Sequence, residues 1–289
     1  VIMPVYNGEK YIKQAVESVF AQEVSTELLV IDDGSTDHTE KVLSAYKGRE
    51  DFRYIKNEQN MGAAGSRNRG VGLAQGTYIA FLDADDIWES DYLECQKKLI
   101  GTYPDAGIYS TAFYSLEKRK RKLRNVLINE HIHFLVHDYF KESVMNGLSI
   151  CWTSSLCLKK EVIKEIPMFR VGIKRGEDLD LWLRIALNYD VAYLNLPKVF
   201  YRTGLSDSLT SDYSKNGEFP YYEWFNFTSE SSYYRKYVIL VVYIHAKNAF
   251  IHHDYDTCLA ELWSVKTIAW RFKWAERLLL LVISWIKSK

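Results

Sequence analysis

Two short apolar runs that each end in a cluster of aspartates constrain this chain more than any other feature. Leu28-Leu29-Val30-Ile31 stops at Asp32-Asp33-Gly34-Ser35, and Thr77-Tyr78-Ile79-Ala80-Phe81-Leu82 stops at Asp83-Ala84-Asp85-Asp86. A short apolar run without alternation is the pattern of a strand buried on both faces. Helix signals alternate with these strands. Tyr11, Ile12, Ala15, Val16, Val19 and Phe20 repeat at helical spacing, with Asn7 placed to cap them. Asp37 and Glu40 read as a capping box for a helix ending near Tyr46. Residues 52–55 read as a strand, the glycine-rich stretch 60–74 as a closely packed helix, and Ser90 or Asp91 caps a helix through Ile100. Successive β-α units with short loops predict an α/β fold, a mostly parallel, doubly wound, Rossmann-like sheet flanked by helices. Ligands of such sheets bind outside the carboxyl ends of the strands, and both aspartate clusters fall there.

After Gly107 the pattern changes. A strand over residues 108–114 leads into Lys118-Arg119-Lys120-Arg121-Lys122-Leu123-Arg124. That basic run reads as a solvated loop, or as a contact for anionic lipid head groups or a phosphate-bearing acceptor. Strand-like runs follow at 150–158 and 191–194 with a helix over 178–187 between them, and the chain beyond Tyr213 is helical and aromatic. This divides the chain into an α/β unit, 1–210, expected to carry the binding and chemistry, and a mainly helical extension, 211–289, open to contact with a ligand, a second copy or a membrane.

Charge narrows the partners. Lys plus Arg and Asp plus Glu number 37 each, so no global field favours nucleic acid. Four cysteines without a C-x-x-C pair read as reduced thiols, which with the lack of a long apolar stretch suggests a cytoplasmic protein. Trp270, Trp274, Leu278, Leu281, Val282, Trp285 and Ile286 form a helical stripe beside Arg271, Lys273, Arg277 and Lys287. Such a stripe over 270–286 suits peripheral attachment at the inner face of a membrane, and equally packing on its own domain or on a second copy in a homodimer.

Asp83-Ala84-Asp85 is a D-x-D at a strand end. Two carboxylates so placed can converge on one hard cation and leave positions for diphosphate oxygens and water. Gly34 permits a tight turn, and Asp33 can accept from the ring N–H of uracil, thymine or guanine, whereas cytosine presents an acceptor there. His131, His133 and His137 lack partners at metal spacing and read as surface or core. Trp152 and Trp182 suit stacking on an acceptor or burial in the core. Neither a G-x-x-x-x-G-K-[ST] nor a G-x-G-x-x-G string occurs.

Taken in order, Val1-Ile2-Met3-Pro4-Val5-Tyr6-Asn7, Val30-Ile31-Asp32-Asp33-Gly34-Ser35-Thr36-Asp37, Asn60-Met61-Gly62 with Arg67-Asn68, and Phe81-Leu82-Asp83-Ala84-Asp85-Asp86 resemble the family 2 glycosyltransferases of the GT-A fold. Gly176-Glu177-Asp178 followed by Leu181-Trp182-Leu183-Arg184 is similar to that family's acidic motif opening a helix, and Tyr201-Arg202 resembles its segment after the last strand. The resemblance covers about residues 1–210. It implies inverting transfer of a sugar from a nucleoside diphosphate, UDP foremost, to a saccharide or lipid-linked saccharide. By motif position Pro4, Tyr6 and Asp33 would hold the nucleoside, Asp83 would lie near ribose and metal, and Asp85 would bind Mg²⁺ or Mn²⁺. Asp178 would be the general base. Asp32, Arg67, Asp86, Glu177, Trp182 and Arg202 are further expected contacts to donor or acceptor.

Two departures stand out. Many relatives carry a histidine two residues after Tyr-Arg, where this chain has Gly204. The Gln-x-x-Arg-Trp string of processive synthases is absent, which points to single additions. A sugar-1-phosphate nucleotidyltransferase would show a glycine-rich basic loop that Pro4-Val5-Tyr6-Asn7-Gly8 lacks. A non-catalytic subunit of the same fold would not need the D-x-D and Asp178 together.

Overall fold

The computed structural model describes residues 1–118, 120–147, 149–173, 175–205, 221–224 and 226–264. Its first half alternates β1 (Ile2–Val5), α1 (Ile12–Phe20), β2 (Leu28–Asp32), α2 (Thr39–Leu43), β3 (Phe52–Lys56), α3 (Gly62–Leu73), β4 (Tyr78–Ala80), β5 (Ile87–Trp88) and α4 (Tyr92–Thr102). The second half continues with β6 (Ile108–Glu117), β7 (Lys120–Arg124), β8 (His133–Val136), α5 (Tyr139–Asn146), β9 (Leu156–Lys159), α6 (Lys160–Glu165), α7 (Glu177–Ala186) and β10 (Val191–Thr203). Helices α8 (Tyr221–Trp224), α9 (Tyr234–Ile251) and α10 (Tyr255–Ser264) follow.

Strands β1, β2 and β3 pair in parallel, and Ile2 bridges in parallel to Phe81, just past β4. The ladder then runs β4-β9-β6-β10-β5. Because β9 is antiparallel to both β4 and β6, those two point the same way, and β10 is parallel to β6. The carboxyl ends of β1, β2, β4, β6 and β10 therefore share one edge. The antiparallel strands β5, β7, β8 and β9 are short additions to this parallel frame.

Helix α1 buries Ile12, Ala15, Val16 and Val19 completely. Each of its larger aliphatic side chains contributes about 1.5–3 kcal/mol by leaving water. Helix α3 lies so close to β1 that a Cβ on Gly70 would stand 2.5 Å from Ile2 Cγ2, which is why this helix is rich in glycine.

Several local expectations are corrected. Asn7 does not cap α1; it sits at φ 54° and its Oδ1 accepts from the Thr36 N–H at 2.8 Å, tying two loops together. The capping box does not close, because Glu40 pairs with Lys56 at 3.1 Å while Asp37 accepts from the Thr39 N–H at 3.0 Å. The basic run is not a loop: Lys120–Arg124 forms β7, an edge strand paired to β6 with every residue exposed. Within 150–158 only Leu156–Lys159 is strand, preceded by a 3₁₀ turn, Thr153–Ser155. His137 pairs with Asp190 and the His133 ring meets the Tyr103 hydroxyl.

The C-terminal helices share the core of the first part. Tyr139 and Phe140 of α5 pack edge-on against Tyr234 and Tyr237 of α9, and the buried Trp224 indole donates to Asp180 of α7 at 2.8 Å. The boundary at 210 and the 270–286 stripe lie outside the described residues. Among the described residues no helix is long and apolar enough to cross a membrane.

Candidate active site

The shared edge collects the acidic clusters: Asp32, Asp33 and Asp86 are buried there, while Asp83 and Asp85 are half-buried. Asp32 is fully buried: its carboxylate accepts from the Ser35 N–H at 2.7 Å and from the Tyr54 hydroxyl at 2.5 Å. Asp86 is fully buried as well, accepting from Ser154 Oγ at 2.5 Å and from the Arg202 N–H at 3.0 Å. Burial, then the neighbouring Asp85 and Asp83, push its carboxyl well above the usual range. Both were expected to touch a ligand. Each instead spends acceptors on protein donors, as a buried carboxylate must.

Asp33 stands at the end of β2 against the start of α3. Its carboxylate accepts from Asn57 Nδ2 at 2.7 Å and from the N–H groups of Met61 and Gly62 at 2.8 Å each. It thus satisfies orphan donors at the α3 N-terminus, where a negative charge is also favoured by the helix dipole. A carboxylate has about four acceptor positions, so one remains for a ligand. Pro4, in β1 beside Ile31, and the half-exposed Tyr6 lie across the same edge.

One turn into α3, Arg67 joins the two halves of the site. Its buried guanidinium donates to Asp83 at 2.8 Å and to Glu177, the first residue of α7, at 2.7 Å. The three carboxylates Asp83, Glu177 and Asp178 hold it charged, against the burial that opposes charge. Glu177 is itself pushed above its ordinary value by burial and by Asp178, with Arg67 opposing the rise.

Asp178 is held at two atoms. Oδ2 accepts from Thr153 Oγ1 at 2.9 Å and Oδ1 from the Leu179 N–H at 2.7 Å. Beside Thr153, Ser154 Oγ accepts from the Asp83 N–H at 3.1 Å while donating to Asp86. The 3₁₀ turn therefore fastens the D-x-D loop and the start of α7 to one point. Trp152 packs on Tyr201 and Phe113, with ring centroids 4.9 and 5.4 Å apart, leaving it half-buried at the same edge.

Among the described residues no cation pairs with the Asp85 carboxylate, although the Arg202 charge acts on it. Burial first, and Asp83 second, push its carboxyl up to about 6. Arg202 reaches the Asp85 carbonyl and the Gln14 side chain, and lies 5.0 Å from the Tyr11 ring centre. Two residues on, Gly204 adopts φ 73°, a left-handed backbone that suits glycine and disfavours most side chains.

Trp182, expected at the donor or acceptor, is fully buried between Phe81 and Phe169 and packs the core. The roles of Thr153, Ser154, Gln14 and Tyr11 were not foreseen. The polar Thr-Ser-Ser interruption inside an otherwise buried run was the available signal for the first two.

Comparison with known proteins agrees with this geometry. The model of Glycosyl transferase family 2 matches residues 1–166, more than half of the chain. A glycosyltransferase named for teichuronic acid biosynthesis, TuaG of Bacillus subtilis (strain 168), is 32% identical over 195 residues, 67% of this chain and 73% of its own. A stretch of 98 residues is 46% identical to the UDP-Glc:alpha-D-GlcNAc-diphosphoundecaprenol beta-1,3-glucosyltransferase WfgD of Escherichia coli, 33% of this chain and 38% of that protein. The crystal structure of S. aureus TarS 1-349 with UDP-GlcNAc superposes with a TM-score of 0.67 at 19% identity, covering 86% of this chain and 71% of TarS, a likeness of fold. With the motif order, the α/β frame and the family match in agreement, the chain belongs to glycosyl transferase family 2 and is a glycosyltransferase.

Proposed function

We propose that this glycosyltransferase takes its sugar from a nucleoside diphosphate, UDP foremost, and passes it with inversion to a saccharide hydroxyl, free or lipid-linked. The observation that carries the reading is the Arg67 bridge between Asp83 and Glu177, which sets the D-x-D loop beside Asp178. The UDP-GlcNAc bound by TarS supports the donor class, and the diphosphoundecaprenol acceptor in the name of WfgD supports a lipid-linked acceptor. The remaining acceptor position of Asp33 suits a base N–H, with Tyr6 and Pro4 beside it.

Among the described residues no group of three or more metal-ligating side chains gathers, so a divalent cation here would rest on two carboxylates and take its other ligands from diphosphate oxygens and water. Asp85 and Asp83 offer hard oxygen ligands, and a cation would relieve the repulsion that raises the Asp85 carboxyl. Asp85, with Asp83, would hold Mg²⁺ or Mn²⁺, and the bound ion would neutralise charge gathering on the departing diphosphate. Arg202 adds positive charge at the same loop.

Asp178 acts as base. Thr153 and the Leu179 N–H orient its carboxylate while leaving acceptor positions for the incoming hydroxyl. Single-step inversion requires such a base opposite the leaving group, within hydrogen-bond reach of the nucleophile. Substituting Asp178→Asn keeps the shape and the Thr153 contact but removes the proton acceptor. We expect UDP binding by calorimetry to be retained and transfer to fall by about 10²–10⁴-fold. Near-wild-type turnover would refute the assignment. A thermal-shift screen of UDP-, dTDP-, GDP- and CMP-sugars identifies the donor, since ligand at a hundredfold over Kd stabilises by about 2.7 kcal/mol.

A further inference from the structure

We propose that the β6–β7 hairpin is a docking surface for an anionic lipid bilayer. Its usefulness to the enzyme rests on the lipid-linked acceptor proposed above; the binding itself does not.

The charge is local. Six of the seven residues 118–124 are Lys or Arg in a chain whose net charge is zero. Every residue of β7 is exposed, and Lys120, Arg121, Lys122 and Arg124 form no ion pair among the described residues. Some cations elsewhere on the surface are matched, as in Lys56 with Glu40 and Lys198 with Asp91. Within the basic strand and just after it in sequence are exposed apolar side chains: Leu123 at 48%, Val126 at 42% and Ile128 at 101%. A polyanion in solution would account for the cations and leave the apolar residues unexplained. A bilayer surface uses both, head groups meeting the cations and the acyl boundary meeting the apolar tips.

The frame presents this patch at a fixed place. β7 is followed by Asn125, which is buried, donates from Nδ2 to the Ser149 carbonyl at 2.9 Å and accepts at its own carbonyl from the Tyr193 hydroxyl. Since β6 runs parallel to β4 and β10, the hairpin turn projects from the edge that carries the aspartates. Leu116 pairs with Arg202 on one side and Arg121 on the other. Two strand spacings, about 10 Å, thus separate the backbone of Arg202 at the site from that of Arg121 on the patch. Docking there would bring the membrane to the cleft, where a lipid-borne hydroxyl could enter without the enzyme crossing the bilayer.

Vesicle flotation of the full chain tests the proposal, using phosphatidylcholine alone and phosphatidylcholine with 30% phosphatidylglycerol. The wild-type chain is expected to float with anionic vesicles, to stay behind with neutral ones, and to be released in 1 M salt, where the Debye length shrinks to about 3 Å. Substituting Lys120→Gln, Arg121→Gln, Lys122→Gln and Arg124→Gln together should lower partitioning by about two to three orders of magnitude, at roughly fivefold per charge. Ile128→Ser alone should lower it by roughly tenfold. Unchanged melting temperature and unchanged UDP-induced stabilisation establish that both variants fold and bind donor. Wild-type flotation of the quadruple variant overturns the proposal, as does equal flotation with neutral vesicles. Loss of heparin binding in the quadruple variant with no effect of Ile128→Ser on flotation would assign the patch to a soluble polyanion instead. Transfer to a soluble acceptor by the quadruple variant should match wild type, so a failure of docking and a failure of the catalytic reading give different results.

Discussion

Replacing Arg67 with methionine isolates the electrostatic joint of the site. The guanidinium is 6% exposed and pairs at 2.8 Å with Asp83, itself 27% exposed, and at 2.7 Å with Glu177, 13% exposed. Methionine keeps most of the volume beside Phe169 but leaves Asp83, Glu177 and Asp178 facing one another without a cation. Removing one partner of a buried pair costs about 3–5 kcal/mol. In a chain of this size that corresponds to a fall in Tm of roughly 6–15 °C.

The loss should depend on pH, and its sign follows from Glu177. Burial and Asp178 raise its carboxyl, and Arg67 opposes them, so the variant raises it further. A carboxyl raised in the folded state binds a proton that the unfolded chain releases, so its unfavourable effect is absent below the unfolded value, grows as pH rises from there to the folded value, and is fully present above it. Arg67→Met should therefore be most unstable near pH 8 and recover part of the loss near pH 5.5. The double variant Arg67→Met with Glu177→Gln should recover at both. Urea denaturation followed by tryptophan fluorescence at the two pH values measures this. A loss under about 1 kcal/mol at pH 8, or an equal loss at both pH values, would refute the reasoning.

Two further outcomes follow from the structure. Asp85→Asn removes a carboxylate whose folded value, about 6, lies above the ordinary 3.8. It should stabilise the fold at pH 8 by at most about 3 kcal/mol, with the gain vanishing below pH 4, while abolishing Mn²⁺ binding; thermal melts at both pH values and calorimetry with Mn²⁺ check it. Gly70→Ala should destabilise by about 1–3 kcal/mol because the new methyl meets Ile2, whereas Gly72→Ala, which meets nothing within 4 Å, should stabilise by about 0.5–1 kcal/mol; urea midpoints of the pair separate packing from helix propensity.

Strand-forming runs were legible because apolar residues without alternation have few other uses. The same logic placed α1 and α7, whose periodic faces are buried at Ile12, Val16 and Val19 and at Leu181 and Ile185. It failed where local preference competes with distant partners. The basic residues of β7 favour solvent, yet their backbone finds donors and acceptors on β6, so a strand forms without a core face. Trp182 carries a polar N–H and a large ring, and nothing in its neighbours along the chain tells a stacking platform from a core residue; contact with Phe81 and Phe169 decides.

The amino-acid order by itself determined that aspartates would terminate parallel strands at a common edge, since strand type and direction follow from apolar runs and short β-α connections. Only the folded chain decided which of them stay available. Asp32 and Asp86 are buried and consumed by Tyr54, Ser35, Ser154 and the Arg202 backbone, while Asp83, Asp85 and Asp178 stay half-exposed. Adjacent carboxylates have the same chemistry in a string of letters. They differ when burial obliges one to find protein donors and water or ligand can serve the other.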